Sequence, residues 1–149
     1  MTTKRTVEQR ISDALTLFQV VALSALSIID VGGVYPVADF LVRPDGSQQD
    51  PQNMLPSETV FVMLVAFPFL TIVLAFCLAP RKDAALIAAS THGVYILHQV
   101  VHYSTWKALF HPNTDITMEF FIITKTVWMI VSLYIWFVES KNTNKMKDA

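Results

Sequence analysis

The chain has 149 residues, of which 53% are hydrophobic and 15% charged, and its 11 Lys and Arg against 12 Asp and Glu leave a net charge of -1. A mean hydropathy of +0.45 lies outside the range of ordinary soluble domains and points to a single membrane domain. Near-neutral charge gives no reason to expect nucleic acid as a partner, and the lone Cys77 excludes an internal disulfide.

The N-terminal stretch MTTKRTVEQRISDA is too polar to be a cleavable signal, so the apolar run that follows is read as a retained helix over about 11–31. That is close to the ~20 residues a helix needs to cross a bilayer. Gly32, Gly33 and Pro36 end it. Ser12, Thr16, Gln19, Ser27 and Asp30 share one side of this helix, and Leu15, Phe18, Val21, Leu26 and Ile29 lie elsewhere, so a polar face is expected to turn inward. Residues 32–57 hold four prolines and the tetrad Arg43-Pro44-Asp45-Gly46, and read as an extramembrane cap loop.

The second span, about 58–79, opens at Ser57-Glu58, is interrupted by Pro68 and is closed by Pro80. Cys77 falls in its apolar run and is expected in the core. Arg81, Lys82 and Asp83 then leave room only for a tight turn, which makes the second and third helices antiparallel neighbours. The third span, about 84–107, is apolar yet carries His92, His98 and His102. On a helical wheel His92, Tyr95, Gln99 and His102 form one polar face, with Thr91 and His98 beside it. Leu86, Ile87, Val94, Leu97 and Val101 occupy the opposite arc, which suits lipid, and Ala85, Ala89 and Gly93 form a ridge that another helix can approach closely. Strongly polar groups facing hydrocarbon cost about 2.5 to 3.5 kcal/mol each, so this helix is expected inside a bundle. The fourth span, about 118–138, ends in the hydrophilic tail ESKNTNKMKDA.

The expected fold is therefore all-α: a polytopic membrane protein forming a four-transmembrane-helix bundle, with an extramembrane loop between the first two helices. Cation placement agrees. Lys4, Arg5, Arg10, Arg81, Lys82, Lys141, Lys145 and Lys147 fall on the side of both termini, against Arg43 and Lys107 on the other. Both termini are then expected on the cytoplasmic or matrix side.

Lys125, about two turns into the fourth helix with Trp128, Ser132 and Glu139 on its face, is the costliest residue to bury. The same topology puts Asp30, Glu58, His98 and His102 in its leaflet, where they could converge beneath the cap as a polar chamber. The candidate ligand-binding set is Asp30, Glu58, His92, Tyr95, His98, Gln99, His102, Lys125 and Trp128. The alternative is that these groups satisfy one another and only hold the helices in register. His98 and His102 have the i,i+4 spacing of a chelating pair, but no HExxH and no histidine-rich box accompanies them, so no metal and no cofactor is expected. Haem is disfavoured because the three intramembrane histidines share one helix. No nucleophile elbow ties Ser, His and Asp together, and no catalytic residue is assigned.

Asp30 with the following VGGVYPVADF, then AFPFLTIVLAF, a short basic turn and ALIAASTHGVY, resembles the small four-helix membrane bundles of the EXPERA type, which include the emopamil-binding isomerases, and equally the DoxX-like bundles. The likeness runs over about 100 residues, from Leu26 to Tyr134. It implies a sterol-like cavity lined by an acid at the end of the first helix, which Asp30 matches, and by a Glu before the Pro-Phe of the second. Val62 stands at that second position and Ala66 at its polar neighbour's, with Glu58 one turn earlier. Two functions follow as expectations. One is a bundle binding a small amphipathic molecule, such as a sterol, isoprenoid, quinone or lipid. The other is a non-catalytic accessory subunit of a larger membrane complex, or a homo-oligomer, whose polar faces meet neighbouring subunits.

Overall fold

A computed structural model describes residues 5–31, 56–104 and 118–147, with side chains at 5–26, 67–104 and 119–143. Among them there are four α-helices and no strand: α1 (Val7–Val31), α2 (Pro56–Leu78), α3 (Arg81–Val101) and α4 (Met118–Lys147). The cap loop 32–57 lies outside the described residues up to Leu55, as do the residues joining α3 to α4.

Helix α1 starts four residues before the expected Ile11, and the reason is a capping box in Thr6-Val7-Glu8-Gln9. The Thr6 amide donates to Gln9 Oε1 at 2.8 Å, and the Gln9 amide donates to Thr6 Oγ1 at 3.2 Å, which satisfies two of the free donors of the first turn. Pro56 opens α2, where its fixed φ suits a first turn and its missing N–H costs nothing. Pro68 stands within α2, which continues through it. Pro80 ends the run and serves as N-cap of α3, its carbonyl accepting from the Asp83 and Ala84 amides at 2.9 Å. Helix α4 runs well past the expected Val138, because ESKNTNKMK contains no Gly or Pro and its start is tied to the neighbouring helices by Glu139 and Lys141.

The helices form a closed ring in which α1 packs on α2 and α4, and α3 packs on α2 and α4. Register follows from the contacts. Ser12 meets Glu139 and Gln19 meets Ser132, so α1 and α4 run antiparallel. Arg81 meets Glu139, Gly93 lies over Met129 and Tyr103 meets Glu119, so α3 and α4 do too. With the tight turn at Pro80, the result is an up-down-up-down bundle in which α1 begins and α4 ends at the same end. The expected small-residue ridge is the α3 seam. Ala84, Ala85, Ala88 and Ala89 are buried, and a Cβ on Gly93 would sit 3.6 Å from Met129 Sδ.

The interior mixes apolar side chains such as Leu23, Phe69, Ile72, Ile135 and Val138 with polar ones, and much of the outside is apolar. Ser12, Gln19, His92, Gln99, Lys125 and Ser132 are buried, while Phe18, Val21, Phe67, Leu74, Val94, Leu97, Ile123 and Phe137 are exposed. The Leu86, Ile87, Val94, Leu97 and Val101 arc is exposed as expected. Cys77 departs from expectation: it lies on the outer side of α2, because Phe69, Ile72, Val73 and Phe76 supply that helix's buried stripe. Thr16, Thr71, Thr91, Thr124, Thr126, Ser132 and Thr143 each donate to the carbonyl four residues earlier, a bond that satisfies a hydroxyl without water.

Two helices, Arg81–Val101 and Glu119–Thr143, are long and apolar enough among the described residues to cross a membrane; α2 adds a shorter apolar stretch, Phe67–Leu78. The sequence expectation of four spans is thus met by two at this level. Glu8, Arg10 and Asp13 dilute the start of α1. Replacing Thr6 by Ala is expected to lower stability by about 1 kcal/mol and to speed amide exchange in the first turn of α1. Unchanged exchange there would mean that the box does not set the start of the helix.

Candidate ligand-binding site

Helix α4 carries the polar spine of the bundle. Lys125, Ser132 and Glu139 are spaced by seven, two helical turns, and so share a face. Ser12 and Gln19 on α1, and His92 and Gln99 on α3, repeat the same spacing and meet that face from either side. At the end where the chain starts, Arg81 donates to both Asp13 and Glu139, Arg5 also donates to Asp13, and Ser12 Oγ donates to Glu139 at 3.2 Å. One level inward, the Gln19 amide donates to Ser132 Oγ at 2.9 Å, and Ser132 donates in turn to the Trp128 carbonyl.

The next level is the candidate site. Lys125 is only 4% exposed, and its ammonium lies 3.6 Å from the centre of the Phe69 ring and 5.2 Å from that of Tyr95. Both distances fall within the ~6 Å over which an aromatic face attracts a cation. His92, within electrostatic reach of Lys125, and Gln99, two turns further along α3, are 1% and 2% exposed. Each has a buried atom with no hydrogen-bond partner among the described residues: His92 Nε2 and Gln99 Oε1. Leaving such atoms unfilled costs about 1 to 3 kcal/mol each, so they mark a place where a bound group can add a bond. Phe69 completes this cluster. A reading by polarity passes over it, and its place next to Pro68 in an apolar run is the only signal the sequence carries for it.

Three of the proposed site residues, His92, Tyr95 and Lys125, are therefore brought together, and Gln99 is buried further along α3. Trp128 is not; it lies in the seam between α1 and α4, stacked on Phe18 with ring centres 5.6 Å apart. His98 and His102 correct the expectation of an inward imidazole face. They are exposed on the outer side of α3, their rings 4.8 Å apart. The polar arc of α3 is wider than the stripe the bundle can cover: at roughly 100° per residue, burial centres between His92 and Gln99, and His98 lies about 100° or more away. Asp30 and Glu58 stand in the last turn of α1 and the first turn of α2, and their side chains lie outside the described residues. Among the described residues no three metal-ligating side chains are grouped.

The chain matches no protein-family model, no curated protein and no solved structure.

The Gln19–Ser132 bond ties α1 to α4 where water cannot replace it. Ser132→Ala is expected to destabilise the bundle by about 0.6 to 1.5 kcal/mol, the range for a single interhelical hydrogen bond. A denaturation series in mixed detergent reads this, and a variant as stable as the parent would remove that bond from the account.

Proposed function

We propose that the chain is a four-span membrane protein, with both termini on the cytoplasmic or matrix side, whose bundle binds the polar end of a small amphipathic molecule such as a sterol, isoprenoid, quinone or lipid. Charge spacing supports four spans. No Asp, Glu, Lys or Arg stands between Asp13 and Asp30, between Glu58 and Arg81, or between Asp83 and Lys107, and Lys125 is the single one between Glu119 and Glu139. At a rise of 1.5 Å per residue, Glu119 to Glu139 covers about 30 Å, the thickness of a hydrocarbon core. The antiparallel ring brings these intervals to the same level, and the exposed apolar side chains surround it.

The observation that carries the ligand reading is the pair of buried α3 atoms, His92 Nε2 and Gln99 Oε1, without partners among the described residues, with the enclosed Lys125 within electrostatic reach of His92. A ligand hydroxyl can donate to the Gln99 oxygen, a carbonyl or carboxylate can accept from Lys125, and the Phe69 and Tyr95 rings offer flat apolar surface to the remainder. Such a mix of few polar atoms and aromatic walls suits a molecule that reaches the site from lipid. An isomerisation without hydride transfer is the chemistry this inventory would permit, since it needs one acid and one base next to an apolar slot. The alternative, an accessory subunit, is favoured by a different observation. The exposed His98 and His102 rings present polar atoms at the outer surface of α3, where a neighbouring membrane subunit can meet them.

Two experiments test this reading. With Cys77 replaced by Ala, cysteines placed at Ser47 and at Asn144 should label from opposite sides of the membrane; labelling of both from one side excludes the topology. Protein purified in mild detergent should retain one defined lipid-like molecule by mass spectrometry. Lys125→Met should reduce its occupancy about tenfold or more, the scale of a lost hydrogen bond to a charged group. Recovery of no such molecule, together with co-purification of stoichiometric partner subunits lost on His98→Ala, would move the assignment to the accessory subunit.

A further inference from the structure

The end of the bundle opposite the Tyr103–Glu119 contact holds a second feature that the amphipathic-ligand reading does not use. A cavity of about 170 Å³ opens there, lined by Arg5, Gln9, Asp13, Arg81, Glu139 and Asn142. It is smaller than the pockets that enclose drug-sized molecules, and it is walled by charge and amide groups instead of apolar surface.

Its hydrogen-bond inventory is uneven. Both Asp13 oxygens are occupied, one by Arg5 and one by Arg81. Arg81 spends a single terminal nitrogen on Asp13 and Glu139, and Arg5 a single one on Asp13, so each guanidinium keeps most of its five N–H groups. Gln9 Oε1 accepts from the Thr6 amide, which leaves the Gln9 amide nitrogen as a donor. Glu139 Oε1 accepts from Ser12 and Arg81, while its second oxygen has no partner among the described residues. The cavity thus offers several unspent N–H donors from two cations beside one unspent carboxylate oxygen. Its four charged residues cancel. A simple anion would use the donors but meet Glu139, and a simple cation would use Glu139 but meet the guanidiniums. A zwitterion with its phosphate and its ammonium a few bonds apart uses both.

We propose that this cavity holds the headgroup of a phospholipid from the adjacent leaflet, of the phosphoethanolamine type, with the phosphate on Arg5, Arg81, Gln9 and Asn142 and the primary ammonium on Glu139. The proposal rests on the membrane reading and not on the ligand at Lys125. Its place follows from the fold: α1 begins, α3 begins and α4 leaves the apolar interval at this rim, where headgroups lie. Guanidinium groups bind phosphate through paired N–H donors, and an ammonium with three N–H groups can satisfy a carboxylate that a trimethylated amine cannot.

The test is thermal unfolding of the full chain in a maltoside detergent, with added phosphatidylethanolamine, phosphatidylcholine or phosphatidylglycerol of identical acyl chains, and with water-soluble O-phosphoethanolamine. Phosphatidylethanolamine at roughly 100 times its Kd should raise the midpoint by about 5 to 10 °C, clearly more than the other two lipids. Arg5→Gln should abolish the difference. Its side chain is 69% exposed and Arg81 keeps Asp13 paired without it, so the variant should fold. Asn142→Ala gives the same readout by a second route, and Glu139→Gln should remove the preference for ethanolamine over glycerol. Equal shifts from all three lipids, or none, overturn the proposal. A shift from O-phosphoethanolamine as large as that from the lipid overturns the lipid as the source of the headgroup.

Discussion

The structure depends on one constraint: the polar side chains that the bundle buries must find their partners inside it. Ser12 on Glu139, Gln19 on Ser132 and Lys125 on the Phe69 and Tyr95 rings are the results. All of them involve α4, which makes that helix the common partner of α1, α2 and α3. In a soluble bundle the apolar stripe would face inward and these contacts would dissolve into solvent. Here the apolar side chains cover the outside, and the buried interior is supplied in good part by alanines on α3 that allow a close approach to α4. Packing and polar pairing therefore act along the same seam.

The two ends of the bundle are held differently. At the end bearing the chain's start, charged groups from α1, the Pro80 turn and α4 converge on Arg81, so three elements share one guanidinium. The outward pair between Lys141 and Glu8 is exposed, and such pairs contribute little. Among the described residues, buried side-chain atoms without a hydrogen-bond partner occur along the whole bundle, at Ser140 Oγ, Gln19 Oε1, His92 Nε2 and Gln99 Oε1. The candidate site around Lys125 lies apart from the ion pairs on Arg81, so a guest there would not unpick them.

Much of this was legible in the residues. Period-3.6 placement of Ser12 and Gln19, of His92 and Gln99, and of Leu86, Ile87, Val94, Leu97 and Val101 separated inside from outside, and the tight turn at Pro80 set the α2–α3 orientation. Lys125 announced itself by its cost. The start of α1 was missed because Thr6 and Gln9 were counted as polar flank, although Thr-x-x-Gln before an apolar run is a capping box. The end of α4 was missed because charge was read as a stop, whereas Glu, Lys and Met continue a helix readily when no Gly or Pro intervenes. His98 and His102 were misplaced because a wheel shows which residues share an arc, and not how much of that arc neighbouring helices can cover. Cys77 was misplaced for a similar reason: a helix that is apolar all round does not say which of its faces is inner.

Dependence on α4 has a consequence for how the chain is made. In the proposed four-span topology, synthesis delivers α1 to the membrane before α4 exists, so Gln19 arrives before its partner Ser132 has been made. A nascent chain halted after α3 would leave the Gln19 amide without Ser132, and the described inner stripe of α2, Phe69 and Ile72, offers it no hydrogen bond. On that reading, partitioning of α1 into lipid is expected to be reversible until α4 emerges, and a frameshift or stop within α4 should destabilise the whole product.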